Sequence, residues 1–319
     1  MNNKIRILLS GSNGFVGKSI IKYLNKLNNN IIIIKLSRSF NDDSSISWED
    51  LDNTIPECDI YIHLAGIAHD LKHNINATDY YSVNVGLTKK LFDIFLKSKA
   101  KKFIYFSSVK VLGDDCNKIL DENSKLNPKT IYAKTKLLAE NYLNNKYNCI
   151  LHENLYNKKL IILRPCMIYG NGNKGNLNIL FNFFKKGYPY IFTNFKNKRS
   201  YLSITNLNYI LENIIYSNIK SGTYLLSDDQ FVSTYELVEM SEIILNKKIV
   251  CLKFPKFIIF TLAYLGNIFN LSFNTNSLKK ITKNCMVSNK KIKSELNINL
   301  PINSYDGLKL VLAHLNSIN

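Results

Sequence analysis

The chain has 319 residues, 46% of them hydrophobic and 21% charged, which is ample for a full core in one large unit or two domains and excludes a disordered or fibrous chain. Its 42 Lys and Arg against 24 Asp and Glu leave a formal charge of +18, but the basic residues are scattered without a run of five like charges, which argues against a nucleic-acid partner. Six cysteines, at positions 58, 116, 149, 166, 251 and 285, show no metal spacing and no disulfide framework, so reduced thiols in a cytoplasmic protein are expected.

Residues 5–9 form a short apolar run that reads as a buried strand and follows the N-terminal Met too closely for a signal peptide. Directly after it, Gly11, Asn13, Gly14, Phe15, Val16 and Gly17 make a turn into a helix running through Leu27. Glycines suit that place for three reasons: a tight turn, a close approach of backbone to a pyrophosphate, and close packing of helix on strand. The helix N-terminus would then face the phosphates, so this segment reads as a dinucleotide site.

Further strands are expected at residues 31–36, 60–64, 103–107 and 160–164, with helices between them and a later return at 224–227. That alternation predicts an α/β fold with a Rossmann-type doubly wound parallel sheet. Residues 1–165 are assigned to a dinucleotide-binding domain, re-entered around 200–227, and 166–319 mainly to a smaller C-terminal α/β substrate-binding portion. His69 and His73 could share a helical face, but no third ligand is evident and no metal is expected.

Ser107 and Ser108 end the 103–107 strand, where sites on such a sheet collect. A helix beginning at 128–130 then puts Tyr132 and Lys136 on one face, a turn apart. A phenol is a weak base at neutral pH, and an adjacent ammonium favours its ionised form, so the pair is expected to exchange protons with an alcohol or ketone. After Pro165 come loops, a helix at 234–245, an apolar stretch at 257–265 and a last helix near 305–315. Lys256, Gly266, Asn267 and Asn270 interrupt the apolar stretch, so no transmembrane segment is expected. It reads as a packed helix, with peripheral membrane contact left open.

Over nearly its whole length the chain resembles the extended short-chain dehydrogenase/reductase family, and most of all the NAD-dependent epimerase/dehydratase, UDP-glucose 4-epimerase-like branch from bacterial polysaccharide loci. The landmarks are the glycine turn, His63-Leu64-Ala65-Gly66, Asn84-Val85-Gly86, Phe106-Ser107-Ser108, the Tyr132/Lys136 pair, Leu163-Arg164-Pro165, Ile168-Tyr169-Gly170 and Asn197-Lys198-Arg199-Ser200-Tyr201.

The resemblance implies Ser108, Tyr132 and Lys136 as the catalytic set, and Leu64, Ala65, Gly66 and Asn84 beside the cofactor with Tyr132 and Lys136. It implies Asn176, Leu177 and Arg199 with Ser108 against a nucleotide-sugar substrate, a guanidinium being suited to a diphosphate. It also implies a homodimer built on helices near 85–98 and 130–146. Where NAD-selective relatives carry an acid, this chain has Arg38, so the cofactor is NAD or NADP. Where related 4,6-dehydratases carry an Asp-Glu pair, it has Val109 and Lys110, which argues against dehydration. The expected activities are thus 4-epimerisation or reduction of a 4-keto sugar, with a non-catalytic cofactor sensor as the alternative from another class.

Overall fold

The computed structural model describes residues 4–27, 30–37, 45–52, 57–68, 76–113, 118–152, 157–173, 175–269, 271 and 273–318. Arg38, His69, His73 and Cys116 lie outside the described residues.

The strands in chain order are β1 (Ile5–Ser10), β2 (Ile31–Ser37), β3 (Ser45–Ser47), β4 (Ile60–His63), β5 (Lys102–Phe106), β6 (Lys159–Pro165), β7 (Met167–Tyr169), β8 (Arg199–Ser203), β9 (Gly222–Leu226) and β10 (Phe231–Val232). A seven-stranded sheet has the order β3-β2-β1-β4-β5-β6-β9, and all its pairings are parallel. The expected doubly wound α/β sheet is therefore present. The order reverses direction at β1, between β2 and β4, which opens a crevice at the carboxyl ends of β1 and β4. A second, three-stranded sheet has the order β10-β8-β7. Strands β3, β7, β8 and β10 were not expected from the sequence; β3, β7 and β10 span two or three residues each, too few to show a periodicity.

The helices are α1 (Phe15–Leu27), α2 (Ala77–Tyr81), α3 (Leu87–Lys97), α4 (Ile131–His152), α5 (Asn176–Lys185), α6 (Ile204–Tyr216), α7 (Thr234–Leu245), α8 (Lys256–Ile268), α9 (Thr275–Thr282), α10 (Lys290–Leu296) and α11 (Ser304–Ser317). A π-helical turn, Ser82–Gly86, joins α2 to α3. Helix α4 starts at Ile131 rather than at 128–130, because Thr130 sits at its mouth and accepts the Ala133 N–H at 3.1 Å. Ser233 and Glu236 make a capping box at α7, while Asn246 and Asn297 end α7 and α10 in left-handed backbone.

Alternation along the strands divides the core cleanly. Ile7, Ile62, Ile104 and Leu163 face α1 and α6, whereas Leu8, Tyr61, Tyr105 and Ile162 face α3 and α4. A separate core of Tyr169, Leu177, Phe181, Tyr201, Leu237 and Leu308 seats α5, α7 and α11 on the smaller sheet. No helix among the described residues is long and apolar enough to cross a membrane.

Candidate active site

The glycine turn closes on itself. Gly14 N–H donates to Gly11 O at 3.1 Å, and Lys18 N–H to Gly14 O at 2.9 Å. Gly11 has φ +75°, and a side chain there would meet the backbone of Leu64 and Ala65, after β4, at 2.7–2.9 Å. At Gly17 a Cβ would lie 2.3 Å from Gly11 O, so that glycine lets α1 pack on its own turn. Gly14 and Asn13 are exposed, and only Gly11 O lies near the place of a Gly14 Cβ. The first N–H groups of α1, from Phe15 and Val16 onward, have no intrahelical acceptor and suit an anion.

Beside this turn lies a buried relay of polar groups. Thr88 Oγ1 donates to Asn84 O at 2.7 Å, so it must accept from His63 Nε2 at 2.9 Å. His63 Nδ1 then accepts from Ser10 Oγ at 2.6 Å, and Ser10 Oγ accepts the Ala65 N–H at 3.2 Å. Every group uses its one proton, which fixes the tautomer. Burial, aided by the charge of Lys136, lowers the His63 pKa from 6.5 to about 3, so the ring is neutral.

Asn84 sits on the π turn and is fully buried. Its Oδ1 accepts from Ile67 N at 2.7 Å, and its Nδ2 donates to Ile67 O and to Thr135 Oγ1, each at 3.1 Å. The amide thus ties the loop after β4 to α4. On α4, Lys136 is 3% exposed and its ammonium donates to Phe106 O at 2.8 Å. It also lies over the Tyr105 ring at 4.8 Å, and a Cβ on Gly66 would come within 3.1 Å of it. Leu64, Ala65 and Gly66 therefore border both Gly11 and Lys136, at the crevice where the strand order reverses.

Burial lowers the Lys136 pKa to about 8 against the opposing pull of Glu140. The Tyr132 pKa is raised by burial, although a hydrogen bond from Ser108 pulls it down. The net direction is opposite to the lowering expected from a neighbouring ammonium, because desolvation of the phenol outweighs it. Ser108 is buried, caps the Val109–Leu112 turn by accepting from Lys110 N at 3.3 Å, and lies close enough to Tyr132 to favour its ionised form.

Two residues underpin α4: Glu140, which sequence reasoning missed, and Arg164, which it saw only within the Leu163-Arg164-Pro165 landmark and gave no role. Glu140 lies one turn beyond Lys136 and takes a bidentate bond from Arg164, at 3.0 and 2.5 Å, with both side chains nearly fully buried. The i+4 spacing from Lys136 was the available signal.

The expected substrate-side residues lie apart from this cluster in the chain. Arg199 opens β8 and donates from Nη1 to Lys283 O at 3.0 Å, beside the end of α9. Asn176 is the first residue of α5. Leu177 is 5% exposed and packs in the smaller core, so only its backbone can meet a ligand. Among the described residues no group of three or more metal ligands is present.

Comparison with known proteins agrees with this geometry. The profile of the NAD dependent epimerase/dehydratase family matches residues 7–208. A UDP-glucose 4-epimerase of Vibrio cholerae is 31% identical over 257 residues, covering 76% of each chain. The N-acetyl-alpha-D-glucosaminyl-diphospho-ditrans,octacis-undecaprenol 4-epimerase of Escherichia coli O157:H7 is 29% identical over 298 residues, covering 90% of this chain and 84% of its own. The structure is similar in fold to UDP-glucuronic acid 4-epimerase from Bacillus cereus in complex with NAD, with a TM-score of 0.73 at 18% identity over 98% of this chain and 99% of that one.

Proposed function

The chain belongs to the NAD dependent epimerase/dehydratase family, and from that premise we propose that it is an NAD(P)-dependent enzyme that inverts the C4 hydroxyl of a nucleotide sugar. The observation that carries this reading is Lys136, buried at the carboxyl end of β5, with Gly66 on one side and its own helix bearing Tyr132 on the other. Residues 1–165 with the β9 return serve the cofactor, and the 166–319 portion serves the sugar. The glycine turn suits a dinucleotide, since Gly14 leaves the mouth of α1 open and a Cβ at Gly11 or Gly17 would meet backbone.

The Gly11–Gly17 turn and the Leu64–Gly66 loop would hold the dinucleotide, whose nicotinamide would supply reversible hydride transfer at the sugar's C4. The chain's own residues handle the proton and the geometry. Tyr132 takes the C4 hydroxyl proton and later gives it back, and Ser108 hydrogen-bonds the reacting oxygen and the phenol. Burial keeps Tyr132 protonated at rest, so positive charge beside it is needed to draw the proton off. Lys136 supplies that charge below its pKa of about 8. Asn84 holds the Gly66 loop against α4 so that cofactor and phenol keep one spacing.

Arg199 and the α5 mouth hold the diphosphate, with Lys110 and Val109 leaving no acid for dehydration. The two relatives' names carry the sugar on different groups, a nucleoside diphosphate and a lipid diphosphate; Arg199 would meet the same diphosphate in either. A homodimer built on α3 and α4, working in the cytoplasm, completes the reading.

The test is spectroscopic. Purified protein that retains NAD through gel filtration and interconverts UDP-glucose with UDP-galactose, or the N-acetylated pair, without net cofactor consumption supports the epimerase. Stoichiometric NAD(P)H consumption with a 4-keto sugar would replace it with a reductase, and absence of either would favour a cofactor sensor.

A further inference from the structure

Helix α8 is apolar on both sides. Ile259, Ala263 and Gly266 face inward, where Ile259 and Ala263 pack with Leu278 of α9 and a Cβ on Gly266 would clash with Phe273 O. The opposite stripe, Phe257, Phe260, Tyr264 and Ile268, recurs at three- and four-residue spacing and is 52–69% exposed. Eleven of the 26 large exposed hydrophobics among the described residues fall within positions 250–271, so they form one patch rather than the usual scatter. A helix apolar all round is ordinarily buried or spans a membrane. With 13 residues α8 is only about 20 Å long, short of the roughly 30 Å of a bilayer core.

The charge around the patch is one-sided. From 247 to 283 the chain has seven lysines, at 247, 248, 253, 256, 279, 280 and 283, and no Asp or Glu. Lys256 and Lys279 rim a groove of about 520 Å³ between α8 and α9, floored by Phe195, Phe260 and Leu278. Apolar floor and ammonium rim match a lipid's methylenes and phosphate. A second copy of this chain would bring like charges together on the same patch, which opposes self-association there.

We infer that the outer face of α8, with its lysine rim, is a docking surface for an anionic lipid bilayer, on which the helix lies flat without crossing. Aromatic and aliphatic side chains enter the interface while lysines meet the headgroups. The bond from Arg199 to Lys283 O links the end of α9 to the proposed diphosphate residue. In this seat a sugar diphosphate on a lipid carrier reaches the same site, which rests on the hydride-transfer reading; the docking itself does not.

The experiment is sedimentation of the full chain with vesicles of phosphatidylglycerol and phosphatidylethanolamine, against vesicles of phosphatidylcholine alone. Binding to the anionic vesicles should be stronger by roughly tenfold or more, each lysine at the surface contributing about fivefold at most. The double variant Phe257→Ser with Tyr264→Ser should weaken it roughly tenfold or more, with turnover unchanged. A second pair, Lys253→Glu with Lys279→Glu, should do the same without touching the apolar stripe. Three outcomes would overturn the inference: no binding to anionic vesicles in low salt, binding undiminished in both variants, or variants that alter only the self-association seen by sedimentation. Loss of turnover with vesicle binding intact would count against the catalytic reading alone.

Discussion

Asn84 and Thr135 are joined by a 3.1 Å hydrogen bond across 51 residues of sequence, and through it the loop that bears Gly66 is fastened to the helix that bears Tyr132 and Lys136. The chemistry proposed for the crevice depends on that fixed spacing.

Replacing Tyr132 with Phe removes the proton carrier and leaves the glycine turn intact. Turnover should fall by about 10²–10⁴-fold while NAD(P) affinity stays the same. Fluorescence titration of the cofactor beside steady-state rates checks both, and unchanged turnover would transfer the role to another group.

Lys136 has its pKa lowered to about 8, so the ammonium is present below that pH and disappears above it. If its charge is what draws the proton from Tyr132, kcat/KM should decline as pH rises through about 8. Lys136→Met should abolish that limb and lower the rate by about 10²-fold or more.

Gly17→Ala puts a methyl within 2.3 Å of Gly11 O and 2.8 Å of Ser12 Cα, both backbone atoms. The turn must shift, and cofactor affinity should drop by about tenfold or more. Calorimetric titration with NAD and NADP measures it.

His63 is held neutral with a pKa of about 3, against 6.5 when unfolded. Between those values the unfolded chain binds a proton that the folded chain refuses, so stability falls as pH falls, by roughly 1.4 kcal/mol per unit at the steepest. Asp228, whose pKa is raised by burial to about 6, acts in the opposite sense below that pH. His63→Gln should remove that slope, so any stability advantage of the parent should shrink as pH falls from 6.5 to 3, as followed by urea unfolding at several pH values.

Glu140→Ala leaves the Arg164 guanidinium buried and unpaired, which should cost about 3–5 kcal/mol. The double change Glu140→Leu with Arg164→Met should recover much of that loss in the same unfolding assay.

The parallel sheet was legible because β1, β4, β5 and β6 are buried on both faces and so read as unbroken apolar runs. Gly11, Gly14 and Gly17 announced the turn by their spacing together with their place straight after the first apolar run and before a helix. What escaped was long-range: nothing local marks Ser10, His63 and Thr88 as one relay, since their partners are 25 and 53 residues apart. The direction of the Tyr132 shift escaped too, because residue spacing shows who is near but not how much water is lost.

The bulged turn at 82–86 holds one residue more than a regular helical winding would, and Leu87 N–H reaches back five places to Ser82 O. Excising a single amino acid there would straighten the segment and improve its winding, yet swing the carboxamide of Asn84 by about 100° around the axis. A more regular backbone would then be a broken enzyme, so the irregularity is the part a designer should copy.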